Sequence, residues 1–454
     1  MNVNDMSPLK IELPEDILKA KWCGDFDRAN RLIDMMLVNP KVPQCLKDRL
    51  LIEKGILIQL PLDYVYPEEE AFKMCCETIK DFTWEEFQNL IDTSAIDWIY
   101  VGGKLHACRR FLDTLLKVHP DLGARAGLPT EESEERKLLN QNIADMKANG
   151  KATWHIHLKG KFKINDEAFR KGEIVKVHYP IPCDAINMKN IELVSTSPEC
   201  VKVGAPDEAQ RTVYFETAMD DNKPFVTEFK YDSTVNYVNL DPAKASPVQP
   251  SFDTHEEMPH IRFTPFIKDL CAELKGDETN PIIVARKFYD YCTTNVTYSF
   301  MRQYFAITEI PEYAALNLKG DCGVQALLFI TLCRCAGIPA RWQSGVFVTP
   351  YDVGSHDWAM FYVDPYGWVF ADPSFGGSAY RSGNKERHDF YFGNLDPFRM
   401  AANSVFQGAL VPEKKFLRID PYDNQKGEAE YADRGLMWNE CDNEWEIVEC
   451  RKVD

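Results

Sequence analysis

The hydrophobic period of this chain changes at Gly150, and no single uniform architecture accommodates both sides of that change. Before it, Ile17-Leu18, Phe26, Ala29, Leu32-Ile33 and Met36-Leu37 recur at the three- and four-residue spacing of helix faces. Pro40 and Pro43 close that unit, and Leu46 to Leu60, Glu68 to Ile79, Trp84 to Ile91 and Cys108 to Val118 continue the pattern. After it, Trp154-His155-Ile156-His157-Leu158, Ile174 to Tyr179, Thr212 to Phe215 and Val226 to Tyr231 alternate with period two. They are rich in β-branched and aromatic residues and bounded by Gly, Pro, Asn and Asp, as strands are. With 454 residues the chain also exceeds what one hydrophobic core supports. The expectation is a multidomain α+β protein: an all-α domain over 1–150, a β-sandwich-like domain over 151–250, and a third domain over 251–454.

Composition excludes several classes. Lys+Arg 52 against Asp+Glu 70 gives a net charge of -18, and no basic stripe tracks a phosphate backbone, so nucleic acid is not an expected partner. No apolar run reaches a membrane span, and Met1 to Met6 lack the basic and apolar regions of an export signal. The 14 cysteines follow no disulfide framework and form no CxxC pair, which points to a reducing cytoplasm and away from a zinc ribbon. His155, His157 and His178 lie on predicted strands without a third ligand and read as sheet-surface histidines. Neither metal nor cofactor is expected.

One stretch of the third region carries chemistry. Residues 320–341 read as a helix with Cys322 in its first turn, Asp321 as N-cap, and Gly337 with Pro339 as its stop. A helix N-terminus favours the thiolate, the nucleophilic form of cysteine. Cys333 and Cys335, on the body of the helix, read as small packed hydrophobes. Downstream, His356 to Val363 and Gly367 to Ser374 read as strands joined by the turn Asp364-Pro365-Tyr366-Gly367. In an antiparallel pair the start of the first strand meets the end of the second, which brings His356 to Asp372. A cysteine nucleophile needs a base and the base needs an orienting group; Cys322, His356 and Asp372 supply these roles.

Gly320-Asp321-Cys322 and its helix, Arg334 to Arg341, His356-Asp357-Trp358 and Gly367 to Ser374 together resemble the transglutaminase-like superfamily, whose core is related to papain-like thiol proteases. The resemblance covers roughly residues 280–380. It implies that Cys322 is the nucleophile, His356 its base and Asp372 the orienting acid. It also implies that the strand-rich region is the β-domain preceding this core in bacterial members. Tyr298 is the expected side-chain donor to the oxyanion, with Gln303 and Tyr304 as alternatives. Trp358 and Trp368 are candidate walls of the substrate cleft.

The activity expected is cysteine-dependent hydrolysis of an amide bond in a peptide or protein, through a thioester acyl-enzyme. Transfer of the same acyl group to an amine is the alternative. An inert interaction or scaffold protein, binding a partner through the helical N-terminal region, is the reading of a different class. The segments Leu436 to Cys441 and Trp445 to Cys450 are expected to form a terminal hairpin.

Overall fold

The computed structural model describes residues 5–453. Its described residues form 14 α-helices and several sheets, a mixed α+β architecture. The first third is helical, as its period requires, with one departure. Trp98–Val101 and Lys104–Ala107 form a hairpin across Gly102 and Gly103, both at positive φ, and Tyr66–Pro67 adds a third short strand. The aromatic and β-branched run Trp98 to Val101 before a Gly-Gly turn is the strand signal that helical periodicity elsewhere masked.

From Lys151 the chain builds two four-stranded sheets. In the long strand Lys151–Ile164 every second residue is buried, so Trp154, Ile156, Leu158 and Phe162 face the core. His155 and His157 take the outer face and pair with Asp232 at 2.7 Å and Glu228 at 2.9 Å. His178 differs from expectation: it is buried, facing Thr212 and the Tyr214 ring. Nor is there a terminal hairpin. Cys441–Val453 is one strand that returns to pair antiparallel with Lys151–Ile164, and Glu428–Glu430 pairs with Ile174–Pro180. A partner nearly 300 positions away satisfies that strand's backbone, which local turn chemistry could not reveal.

The third region packs helices on a five-stranded antiparallel sheet, in the order Phe392–Gly393, Gly367–Ala371, Val353–Val363, Ala340–Val348, Arg399–Asn403. The helix Cys322–Cys335 lies at its centre and is buried along nearly its whole length. A helix apolar on all sides must be covered on all sides, and here the sheet and the helices Pro281–Asn295, Ile310–Asn317 and Pro373–Arg381 surround it.

Candidate active site

Asp321 caps the central helix by accepting the N–H of Val324, which leaves Cys322 as its first residue. The two-residue strand Lys319–Gly320 just before it runs parallel to Thr297–Tyr298 and sets Tyr298 opposite Gly320. Cys322 is 8% exposed and lines a cavity of about 510 Å³. Its Sγ lies 3.4 Å from Oδ2 of Asp357, whose Oδ1 accepts from Gln425 Nε2 at 2.5 Å. Tyr304 donates its hydroxyl to Asp321. A Cβ at Gly323 would fall 2.3 Å from the Tyr304 hydroxyl and 2.7 Å from Asp357 Oδ2, so glycine there leaves the room that both occupy.

These neighbours reverse one expectation. Burial, and then the carboxyls of Asp357 and Asp321, push the Cys322 thiol well above its ordinary pKa. Desolvation and acidic neighbours outweigh the helix terminus, whose influence falls off within a turn. Burial and Asp321 likewise push Asp357 up, and burial raises Asp321 to about 6.

His356 lies on the strand Val353–Val363, and its Nε2 is 2.7 Å from Asp372 Oδ2. Asp372 follows the neighbouring strand and caps the helix Pro373–Arg381, accepting the Phe375 N–H at Oδ1. Arg399 closes the group, with Nη1 2.9 Å from Asp372 Oδ2 and Nη2 on Asp396; all three side chains are fully buried. Burial works to raise Asp372, but His356 and Arg399 hold its carboxyl below the ordinary value. Burial also lowers His356, against the pull of Asp372, and so favours the neutral ring. Phe375 meets that ring edge-on at 4.6 Å.

The structure therefore brings His356 to Asp372 and Cys322 to Asp357. Among the described residues no hydrogen bond joins Cys322 to His356. Neighbours on a strand point to opposite faces, so the residue after His356 reaches the sulfur. With Nε2 engaged by Asp372, His356 Nδ1 makes no hydrogen bond among the described residues.

Of the other expected site residues, Tyr298 lines the Cys322 cavity. Tyr304 and Gln303 line it too; the Tyr304 hydroxyl is committed to Asp321, and the Gln303 backbone N–H donates to Asp63 Oδ2. Trp358 is not a cleft wall: it is fully buried, donates Nε1 to Gln343 Oε1, and belongs to the core. Trp368 lies under the Arg341 guanidinium and lines a different cavity. Phe300, Tyr422 and Trp438 are further aromatic residues on the cavity wall.

The helical first third also reaches the site. Asp63, Arg109, Arg110 and Lys117 line the same cavity as Cys322. Lys319, two residues before the capping Asp321, donates to Asp97 at 2.8 Å, and Asp97 accepts from Tyr64, which accepts from Arg302. Thr114 accepts the N–H of Phe300. No spacing in the sequence announces these contacts, since Lys319, Arg302 and Phe300 lie far along the chain from Asp97, Tyr64 and Thr114.

With this geometry the chain can be set against known proteins. The model of the transglutaminase-like superfamily matches residues 268–373. This segment is a transglutaminase-like domain. It contains Cys322, His356 and Asp372, with the cysteine helix at its centre. A protein from Haemophilus influenzae, described only as uncharacterized, is 26% identical over 151 residues, a match covering 28% of this chain and 41% of that one. Among solved structures, a "putative cysteine protease" from Cytophaga hutchinsonii has a TM-score of 0.45 and 13% identity, covering 67% of this chain and 91% of that one. The periplasmic domain of TgpA from Pseudomonas aeruginosa has a TM-score of 0.29 and 12% identity, covering 55% of this chain and 96% of that one. The match over this segment supports a thiol-dependent enzyme family. Among the described residues no helix is long and apolar enough to cross a membrane, and no group of three or more His, Cys, Asp or Glu is arranged to hold a metal ion.

Proposed function

We propose that the chain is a cysteine-dependent amide hydrolase, with Cys322 as nucleophile, His356 as base and Asp372 as the group that orients it. The observation that carries this reading is the buried His356–Asp372 pair, braced by Arg399, in a domain whose central helix begins at a cysteine. Asp372 on Nε2 keeps the proton there and leaves Nδ1 as the acceptor. Because Asp357 rather than His356 faces Sγ, the thiol reaches Nδ1 only once the Cys322 side chain and the strand carrying His356 rearrange on substrate binding. The sulfur gives its proton to Nδ1 and attacks the carbonyl carbon. The Cys322 N–H and the Tyr298 hydroxyl receive the oxyanion. His356 then protonates the leaving amine, the C–N bond breaks, and a thioester remains. Water attacks the thioester with His356 again as base, and the thiol is restored.

The helical first third serves this reaction by walling the cleft and bracing the strand before Cys322, rather than by binding a separate partner. Transfer to an amine is the second reading, supported by Asp357, Asp420 and Asp423 on the cavity wall, carboxyls that burial raises and that can accept hydrogen bonds from an incoming amine. The test is product mass from a glutamine-containing peptide incubated with and without a primary amine. A water-derived acid supports hydrolysis, an incorporated amine supports transfer, and neither product from wild type overturns both.

A further inference from the structure

Beyond Tyr298 and Lys117, which form its shared wall with the Cys322 cavity, lies a second cavity of about 210 Å³. Its charge is opposite to that of the whole molecule. In a chain of net charge -18, four cations line it: Lys117, Arg136, Arg381 and Arg387. The one carboxylate on its wall, Glu135, is already engaged by the Thr349 hydroxyl at 2.9 Å.

None of the four cations forms an ion pair among the described residues. Arg387 is the telling case. It is 4% exposed, and its guanidinium donates only to neutral oxygens, Asn140 Oδ1 at 3.2 Å and Ser382 Oγ at 3.1 Å. A buried cation without a counter-charge is costly, and the three further cations around it add repulsion. Burial, with Arg136, holds the Arg387 guanidinium below its ordinary value against the opposite pull of Tyr391 and Glu132, neither of which forms an ion pair with it among the described residues. Arg136 and Lys117 come from the helical first third; Arg381 and Arg387 come from the two helices that follow Asp372. Four cations converging from separate elements leave a place for an anion.

We infer that this cavity is the subsite for an anionic group, a carboxylate or a phosphate, carried by the acyl donor. The inference rests on the reading of Cys322 as the nucleophile only in assigning the anion to the substrate. The cavity has room for one side chain or terminus, so a peptide with an acidic group near its scissile amide fits it. A planar guanidinium suits such oxyanions because it can donate two hydrogen bonds to one group.

The test uses the full chain at low salt, with glutarate and inorganic phosphate as separate calorimetric probes and R136Q/R381Q as the variant. Both replaced side chains are exposed, so the fold should tolerate the change. Wild type is expected to bind at least one probe, and the variant to bind it at least about tenfold more weakly. The preferred probe distinguishes carboxylate from phosphate. The saturating probe should also slow alkylation of Cys322 by iodoacetamide, read on the Cys322 peptide by mass spectrometry. Binding of neither probe, or equal binding by the variant, overturns the site. Binding that leaves Cys322 alkylation unchanged overturns its assignment to the substrate. The binding arm needs no turnover, so a failure of the hydrolase reading would leave it standing.

Discussion

Two aspartates fifteen positions apart meet the reacting groups and are held in opposite ways. Asp372, beside His356, has Arg399 and the Phe375 N–H on its oxygens and stays charged although it is fully buried. Asp357, beside Cys322, has the neutral amide of Gln425 and, among the described residues, no ion pair, and its carboxyl is pushed well up. Equal burial gives opposite protonation because only one of the two has a counter-charge. The His356 half is thus a fixed device that orients a ring. The Cys322 half rests as a protonated thiol that must be released.

The largest effect should come from removing either half. Cys322→Ala and His356→Ala are each expected to lower turnover by about 10³-fold or more, checked by peptide hydrolysis. Retention of activity in either would break the pairing. Next is the brace: Arg399→Leu strands Asp372 and Asp396 in the core and should cost about 3–5 kcal/mol of stability in urea unfolding. Tyr298→Phe should lower turnover by about 10²-fold while leaving stability nearly unchanged, if its hydroxyl receives the oxyanion. The smallest effect sharpens the contrast most. In wild type the raised thiol makes Cys322 alkylation climb with pH above neutrality, because thiolate appears only there. Asp357→Asn cannot ionise as the pH rises but keeps an acceptor for Gln425, so the alkylation profile should move to lower pH.

How far this was legible follows from where each partner lies. His356 sits on one strand and Asp372 just past the end of its neighbour, the two strands joined by the turn at Asp364 to Gly367, so strand spacing alone predicts their meeting. The helix beginning at Cys322 was readable from its cap and stop. Asp357 was not recognised as the partner of the thiol, because its approach depends on Gly323 and on Gln425 from a distant loop. Trp358 and Trp368 were misplaced for a related reason: aromatic residues on a strand show period but not which face meets the core. The return of Cys441–Val453 to the β region and the reach of Lys117 into the site are long-range contacts that no local pattern encodes.

The most direct test is to trap the acyl-enzyme. A peptide-like electrophile incubated with the full chain, followed by peptide mass spectrometry, should place the adduct on Cys322 in wild type and strongly reduce it in His356→Ala. An adduct on another of the 14 cysteines, or equal labelling of Cys322 without His356, would contradict the assignment of nucleophile and base.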